Sequence, residues 1–339
     1  MKEKQSNSNI YIKHCEQLPE WCFNYVYIGL SEKSSSTRIE YVRDILYFFK
    51  VIIQIIPEFK DKQIQNITLD DIKKITASDI NLFLLYMKDN NISETTRARR
   101  KSSISMLFSY LINTERKLKY NPVDGALKVK IPEKDFVIYL TLEEQEKLLN
   151  GIISGKGLTD RELKLHHRYI NRDIAIIFLF LDTGIRISEL HGINIHDIDF
   201  SECSIIIRRK GNKFVKIWFS DESKYYLQTY LEERKNLNQI IHGEDPVFVT
   251  LKEERLSIRA IQILLNKYMR ANLPAKANII SVHKLRSSFA MTFYKMTNGD
   301  ILALQQRLGH KSITTTNIYA KAAELEMKNN RNWRNNLDN

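Results

Sequence analysis

Cysteine is scarce in this sequence. Cys15, Cys22 and Cys203 are an odd number and form no Cys-x-x-Cys pair, which excludes a disulfide framework and a zinc knuckle and fits a reduced, cytoplasmic chain. Long apolar runs are also missing, so no bilayer-spanning helix is expected. The first twelve residues are polar and charged, unlike a signal peptide. The one glycine cluster, Gly151-Ile152-Ile153-Ser154-Gly155-Lys156-Gly157, has too short a glycine spacing for a phosphate loop and puts Gly157 where a hydroxyl residue is needed. Nothing therefore points to a nucleotide cofactor. His166-His167 is no better as a metal site, because adjacent imidazoles do not share a helix face. No internal repeat or low-complexity segment is visible.

What is present is length, charge and helical periodicity. A chain of 339 residues, 43% hydrophobic, can fill two ordinary cores. Lys+Arg 52 against Asp+Glu 40 leaves a net charge of +12 and a pI near 9.4, a balance that suits a polyanion such as nucleic acid. Apolar residues recur at helical spacing from Trp21 to Ile56, with Ser34-Ser35-Ser36-Thr37 as entry cap before Ile39, Val42, Ile45, Leu46 and Phe49. Further helices are predicted after Ser78-Asp79 and near Ser93-Glu94-Thr95, and no strand-like alternation precedes Pro122. The N-terminal part thus reads as an all-helical bundle over 1–125, followed by a basic, proline-marked linker over 126–138 and a second domain over 139–339.

In that second domain, Thr141-Leu142-Glu143-Glu144 predicts a capping box, Gly155 to Arg172 an inserted polar loop, and Ile174 to Leu181 a buried helix. Ile198–Ser201, Ser204–Arg209 and Phe214–Phe219 predict three short strands, with Lys210-Gly211-Asn212-Lys213 as the turn between the last two. Helices resume near Ser257, over Ser281–Tyr294 and over Gly299–Leu308. The expected fold is mainly α: a helical bundle plus a mixed, mostly helical domain with one small three-stranded antiparallel sheet.

Three separated segments carry chemistry. Leu308-Gly309-His310-Lys311-Ser312-Ile313-Thr314-Thr315-Thr316-Asn317-Ile318-Tyr319 places a tyrosine nine residues after a histidine. His283-Lys284-Leu285-Arg286 sets a histidine and an arginine three apart, and Thr183-Gly184-Ile185-Arg186-Ile187-Ser188-Glu189-Leu190 sets a second arginine three residues before a carboxylate. Attack of a tyrosine on a phosphodiester builds charge on the nonbridging oxygens, and permanently charged, forked guanidiniums suit that charge. Arg186 and Arg286 are the candidates for it, and Glu189, one turn after Arg186, is read as orienting the site. Thr96-Arg97-Ala98-Arg99-Arg100-Lys101 opens a helix with a cationic face able to meet phosphates or enter a major groove. Arg208, Arg209 and Lys284 would add phosphate contacts from the second domain.

Taken together these segments resemble the tyrosine recombinase (integrase) family, over about Leu18 to Ala322. The family's ordered pattern is Arg, Lys, His-x-x-Arg, His or Trp, then Tyr, matched here by Arg186, Lys210, His283, Arg286, His310 and Tyr319. Ser287 departs from it, since relatives often carry a second histidine directly after the arginine. The resemblance implies a core-binding bundle clamped with a catalytic domain around duplex DNA, and Tyr319 as nucleophile. It implies Lys210 as the acid that protonates the departing 5′-hydroxyl, with Lys213 its local competitor. His283 would donate to the phosphate or act as base toward the tyrosine, and His310 would be a second donor; their proton roles stay open. It further implies a transient 3′-phosphotyrosyl link with neither metal nor nucleotide, a homotetramer on two sites, exchange through a Holliday junction, and docking of a C-terminal segment, Glu324 to Leu337 with Met327 and Trp333 as anchors, on a neighbouring protomer. The layout resembles Xer-type recombinases and small integrases of mobile elements alike. A non-catalytic DNA-binding regulator and a relaxing topoisomerase of similar chemistry are the competing readings.

Overall fold

Capping side chains set most helix starts in this chain. The computed structural model describes residues 2–132, 136–209, 212–236, 245–310 and 312–329, and the chain divides into two compact units, 1–133 and 134–339.

The first unit is all helical. Helix α1 (Lys2–Cys15) is followed by short turns over Glu20–Cys22 and Tyr25–Gly29, then by α2 (Ser35–Ile55), α3 (Leu69–Lys73), α4 (Ala77–Asp89) and α5 (Glu94–Asn113). Ser34 caps α2 by accepting from the Thr37 amide, and Thr68 and Thr76 form reciprocal capping boxes with Asp71 and Asp79. The apolar stripe read from the sequence faces inward: Ile39, Val42, Ile45, Leu46 and Phe49 are buried with Phe83, Met87, Ile104 and Phe108. The Phe48 and Phe83 rings meet edge to face, centroids 5.1 Å apart, a favoured aromatic arrangement.

The second unit opens with the expected capping box, Thr141 to Glu144, at the start of α6 (Leu142–Ser154). The segment read as an inserted loop is instead the front half of a 24-residue helix, α7 (Asp160–Thr183). Thr159 and Glu162 form its capping box; Arg161, Lys164, His167 and Arg168 face solvent, while the buried His166 meets the Tyr268 hydroxyl at 3.3 Å and Asp173, further along, accepts from Lys267, Arg172 and the same hydroxyl. A solvent-facing helix front and a solvated loop look the same in composition.

After α8 (Ile187–His191) come β1 (Ile198–Asp199), β2 (Ser204–Arg209) and β3 (Lys213–Trp218), an antiparallel sheet in the order β1-β2-β3 with Ile205 opposite Ile217 and Arg209 opposite Lys213. Lys210 and Gly211, in the connecting turn, lie outside the described residues. Helix α9 (Asp221–Asn236), which the sequence reading did not single out, starts where the Asp182 carboxylate accepts from the Ser220 amide and the Ser223 hydroxyl. Helices α10 (Ile258–Asn272), α11 (Val282–Met296), α12 (Ile301–Leu308) and α13 (Asn317–Asn329) complete the unit. No helix among the described residues is long and apolar enough to cross a membrane.

Candidate active site

Helix α7 ends at Gly184, whose φ of 63° is left-handed and whose hydrogen faces Phe289: a Cβ there would stand 2.3 Å from the ring. Glycine is required by both the backbone and the space. This turn delivers Arg186, in extended conformation, to the N-terminus of α8. Glu189 receives it, accepting from the Arg186 amide at 2.9 Å and from its Nη1 at 2.7 Å. The Glu189 side chain is only 4% exposed, and Arg209 Nε lies 3.6 Å from the same Oε1. The carboxylate thus orients Arg186, as the spacing of three predicts, and a second arginine besides.

Arg286, buried on α11, donates Nη1 to the Gly184 carbonyl and Nη2 to the Leu308 carbonyl. Those are carbonyls at the C-terminal ends of α7 and α12, groups left without intrahelical partners. Burial and then the Arg186 charge lower the Arg286 pKa to about 10, so it remains a cation at neutral pH. At the end of α12, Gly309 adopts φ 64° and presents His310. The His310 amide bonds back to Gln305 at 3.1 Å, and Nδ1 pairs with the hydroxyl of the buried Thr316 at 3.0 Å. Burial, followed by the charges of Arg286, Arg186 and Arg209, lowers its pKa to about 4. His283, on the first turn of α11 and open to solvent, is shifted the same way by partial burial and by Arg286, Lys284 and Arg186. Both imidazoles are therefore held neutral at pH 7.

Tyr319 sits in the first turn of α13, 5% exposed, in a small apolar cluster with Phe289, Leu304 and Leu308. Burial raises its phenol pKa, while a hydrogen bond with Ser287 and the Arg286 charge oppose that rise. Ser287, a departure from the family's pattern, is thus one of the two groups that pull the Tyr319 pKa down. Arg186, Arg286, His283, His310 and Tyr319 are brought into one neighbourhood by electrostatic reach. Lys210 lies outside the described residues, next in chain to Arg209, which belongs to the cluster although its sequence signal marked it only for peripheral phosphate contact.

Two family patterns match this chain: the phage integrase family over residues 141–326 and the phage integrase N-terminal SAM-like domain over residues 25–115. The chain belongs to the phage integrase family, and is a tyrosine recombinase. It is 29% identical over 337 residues to tyrosine recombinase XerC of Caldanaerobacter subterraneus subsp. tengcongensis, covering 97% of this chain and 89% of that one. Tyrosine recombinase XerS of Lactococcus lactis subsp. cremoris is 28% identical, with 97% of this chain and 99% of that one covered. In fold it resembles the Tn1549 transposon integrase in complex with a circular intermediate DNA, with a TM-score of 0.63, 22% identity, and 95% and 98% of the two chains covered.

The recombinase's remaining candidate residues are less uniform than their sequence clusters. On α5, Arg97 pairs with Glu94, and Arg99 and Arg100 both approach the buried Asp44, which also accepts from Ser103. Arg100 is further stacked on Tyr47, 3.6 Å from ring centroid to guanidinium carbon. Lys101 donates to the Ala126 and Leu127 carbonyls. Of the three arginines only Arg99, 43% exposed, keeps much of its side chain in solvent. Arg208 is exposed and Lys284 partly so. Helix α13 packs on its own unit through Tyr319, Ala322 and Ala323, and Glu326 pairs with Lys295 and Tyr139. Met327 is exposed, and Trp333 lies outside the described residues.

Proposed function

We propose that this recombinase cleaves one strand of a specific duplex site when the Tyr319 oxygen attacks the scissile phosphorus, forming a 3′-phosphotyrosine as the bond to the 5′-oxygen breaks. Arg186 and Arg286 bind the nonbridging oxygens, where their charge matches the transition state more than the ground state. His310 and His283, held neutral, hydrogen-bond the phosphate or take the phenolic proton. Lys210 gives its proton to the leaving 5′-hydroxyl, and the reverse reaction with a different 5′-hydroxyl rejoins the strands. The observation that carries this reading is the gathering of Arg186, His310 and the buried Tyr319 around Arg286, with one carboxylate, Glu189, among three guanidiniums of the described residues. Such a cluster lacks an anion, and a phosphodiester supplies one.

The finer parts of the proposal follow the family. The 1–125 bundle, with Arg97, Arg99, Arg100 and Lys101 on α5, binds the duplex as a core-binding domain, and Arg208 and Lys284 add contacts from the catalytic domain. Four protomers act on paired sites through a Holliday junction, each docking its C-terminal segment, Glu324 to Leu337, on a neighbour. The reaction takes place in the cytoplasm, for chromosome resolution in the manner of Xer relatives or for movement of an integrating element.

The test is covalent capture. Wild-type protein incubated with fragments of its own genome should give denaturant-resistant adducts whose recovered sequences converge on one site. Tyr319→Phe should bind that site and give no adduct. Adducts from the Phe variant would reassign the nucleophile, adducts without sequence preference would favour a relaxing topoisomerase, and binding without any adduct from wild type would favour a regulator.

A further inference from the structure

Strand β2 sorts its last two arginines by side. Ile205, Ile207 and Arg209 turn toward the core, while Ile206 and Arg208 face out, as the two-residue period of a strand requires. The Arg209 side chain is only 14% exposed. Its Nε stands 3.6 Å from Glu189 Oε1, the oxygen that already holds Arg186 at 2.7 Å, and this buried Nε has no hydrogen-bond partner among the described residues. Its far end occupies the space above Gly309, where a Cβ would fall 1.6 Å from Nη1. A solvated phosphate-seeking arginine needs none of this. A guanidinium held inside, between a shared carboxylate and a glycine turn, is a spacer as well as a charge.

We propose that Arg209 is a positioning residue of the active site, acting on Arg186 through Glu189 and on His310 through the Gly309 turn, so that the hairpin bearing Lys210 and the turn leading to Tyr319 are set together. This deepens the recombinase reading above and rests on it. Lysine cannot replace it, because a point charge on a flexible stem does not span the two contacts as a planar fork does. His310 faces Arg209 from β2, Arg186 from the start of α8, and Arg286 and His283 from α11, with Thr316 on its Nδ1. Every charge in that set disfavours protonation, so losing Arg209 moves the titration of His310 upward from about 4.

The experiment uses the full chain and a nicked duplex of the sequence that wild type captures, so that adducts accumulate. Arg209→Ala should form adduct about 10²-fold more slowly, the scale expected when a reacting group is displaced by roughly 1 Å. Its binding, measured with Tyr319→Phe also present, should lose no more than one phosphate contact, about 0.9 unit of salt slope. The acid limb of its rate profile should lie at higher pH than the wild-type limb. Arg209→Lys should keep the binding and not recover the rate. Gly309→Ala should slow wild type more than it slows Arg209→Ala, because the collision is gone. Wild-type rate and pH profile in Arg209→Ala, full rescue by lysine, or an equal Gly309→Ala penalty in both backgrounds would each overturn the proposal. Should Arg209→Ala lose its cooperative melting transition, the lysine variant decides alone. A wild-type protein that forms no adduct with any DNA sinks the recombinase reading itself and takes this proposal with it, whereas a failure confined to the variants removes only Arg209.

Discussion

Replacing Glu189 by Gln removes one charge while keeping the shape that holds Arg186. The carboxylate is buried and shared by Arg186 at 2.7 Å and Arg209 at 3.6 Å. Breaking a buried pair by removing one partner costs about 3–5 kcal/mol. The Arg186 side chain is 37% exposed, so its half of the loss is screened and belongs near the exposed-pair range of about 1 kcal/mol or less. Glutamine retains one acceptor oxygen, which serves either Nη1 or the Arg186 amide but not both, leaving roughly 2 kcal/mol for that variant and roughly 3 for Glu189→Ala, where neither donor keeps an acceptor. Thermal melting of the free protein should therefore fall by about 4–8 °C for Gln, at roughly 2–4 °C per kcal/mol for a unit of this size.

DNA changes the sign of the comparison. A bound phosphate supplies the missing negative charge, so the destabilisation should shrink in the complex, and linkage then requires binding equal to or tighter than wild type. Cleavage should still slow by about tenfold to a hundredfold, because Arg186 is less firmly aimed. Melting with and without DNA, together with the rate of adduct formation, measures all three. Weaker DNA binding combined with an unchanged cleavage rate would refute the assignment of Glu189 as the residue that aims Arg186.

The other expectations concern protons and DNA contacts. Ser287→Ala removes a bond that lowers the Tyr319 pKa, so the phenol should ionise at higher pH and the alkaline side of the cleavage profile should move up; an unmoved profile would detach Ser287 from the nucleophile. Lys210→Ala should cleave ordinary DNA about 10²–10⁴-fold more slowly and recover on a substrate with sulfur at the bridging 5′ position, since a thiolate leaves without a proton; rescue of Lys213→Ala instead would exchange the two lysines. Arg99→Ala should reduce the salt slope of binding by nearly one unit, whereas Arg100→Ala, which empties a stack on Tyr47 and a pairing with Asp44, should lower thermal stability more than it lowers the slope; equal slopes for both variants would contradict their different exposure.

Much of the fold was legible because helix starts are written in short side chains: Ser34, the Thr141–Glu144 box and Ser257 each stand where a helix begins. The β2–β3 hairpin was legible from its turn and its apolar residues. The front of α7 was not, because most of its polar residues do face solvent and read as a loop, while what anchors it, Tyr268 of α10 against His166 and Asp173, comes from a distant part of the chain. The site divides the same way. Arg186 and Glu189 are three apart and meet within one helical turn, so their pairing is a local fact. Asp44 and Arg99 are 55 residues apart, so a cationic face in sequence became a set of internal pairs in space. The inward side of Arg209 was available from the alternation with Ile205 and Ile207, whereas its contact at Gly309 depends on a turn a hundred residues later.

Arg286 ties the carbonyl ends of two helices together with two of its five N–H groups, which leaves three for anything bound in front of it. One residue is therefore both a rivet and a ligand donor, and the protein cannot assemble this corner without also assembling its anion receptor. The guanidinium that pins Gly184 and Leu308 is the one that would meet a phosphate, so a corner in which those two bonds are broken is also one whose anion receptor is lost. For a tyrosine recombinase, that coupling is a safeguard in the chain itself. It also means that an inactive Arg286 variant reports on architecture before chemistry, and that the cleaner dissection of charge from scaffold lies in Arg186, whose guanidinium leans on a side chain rather than on the backbone.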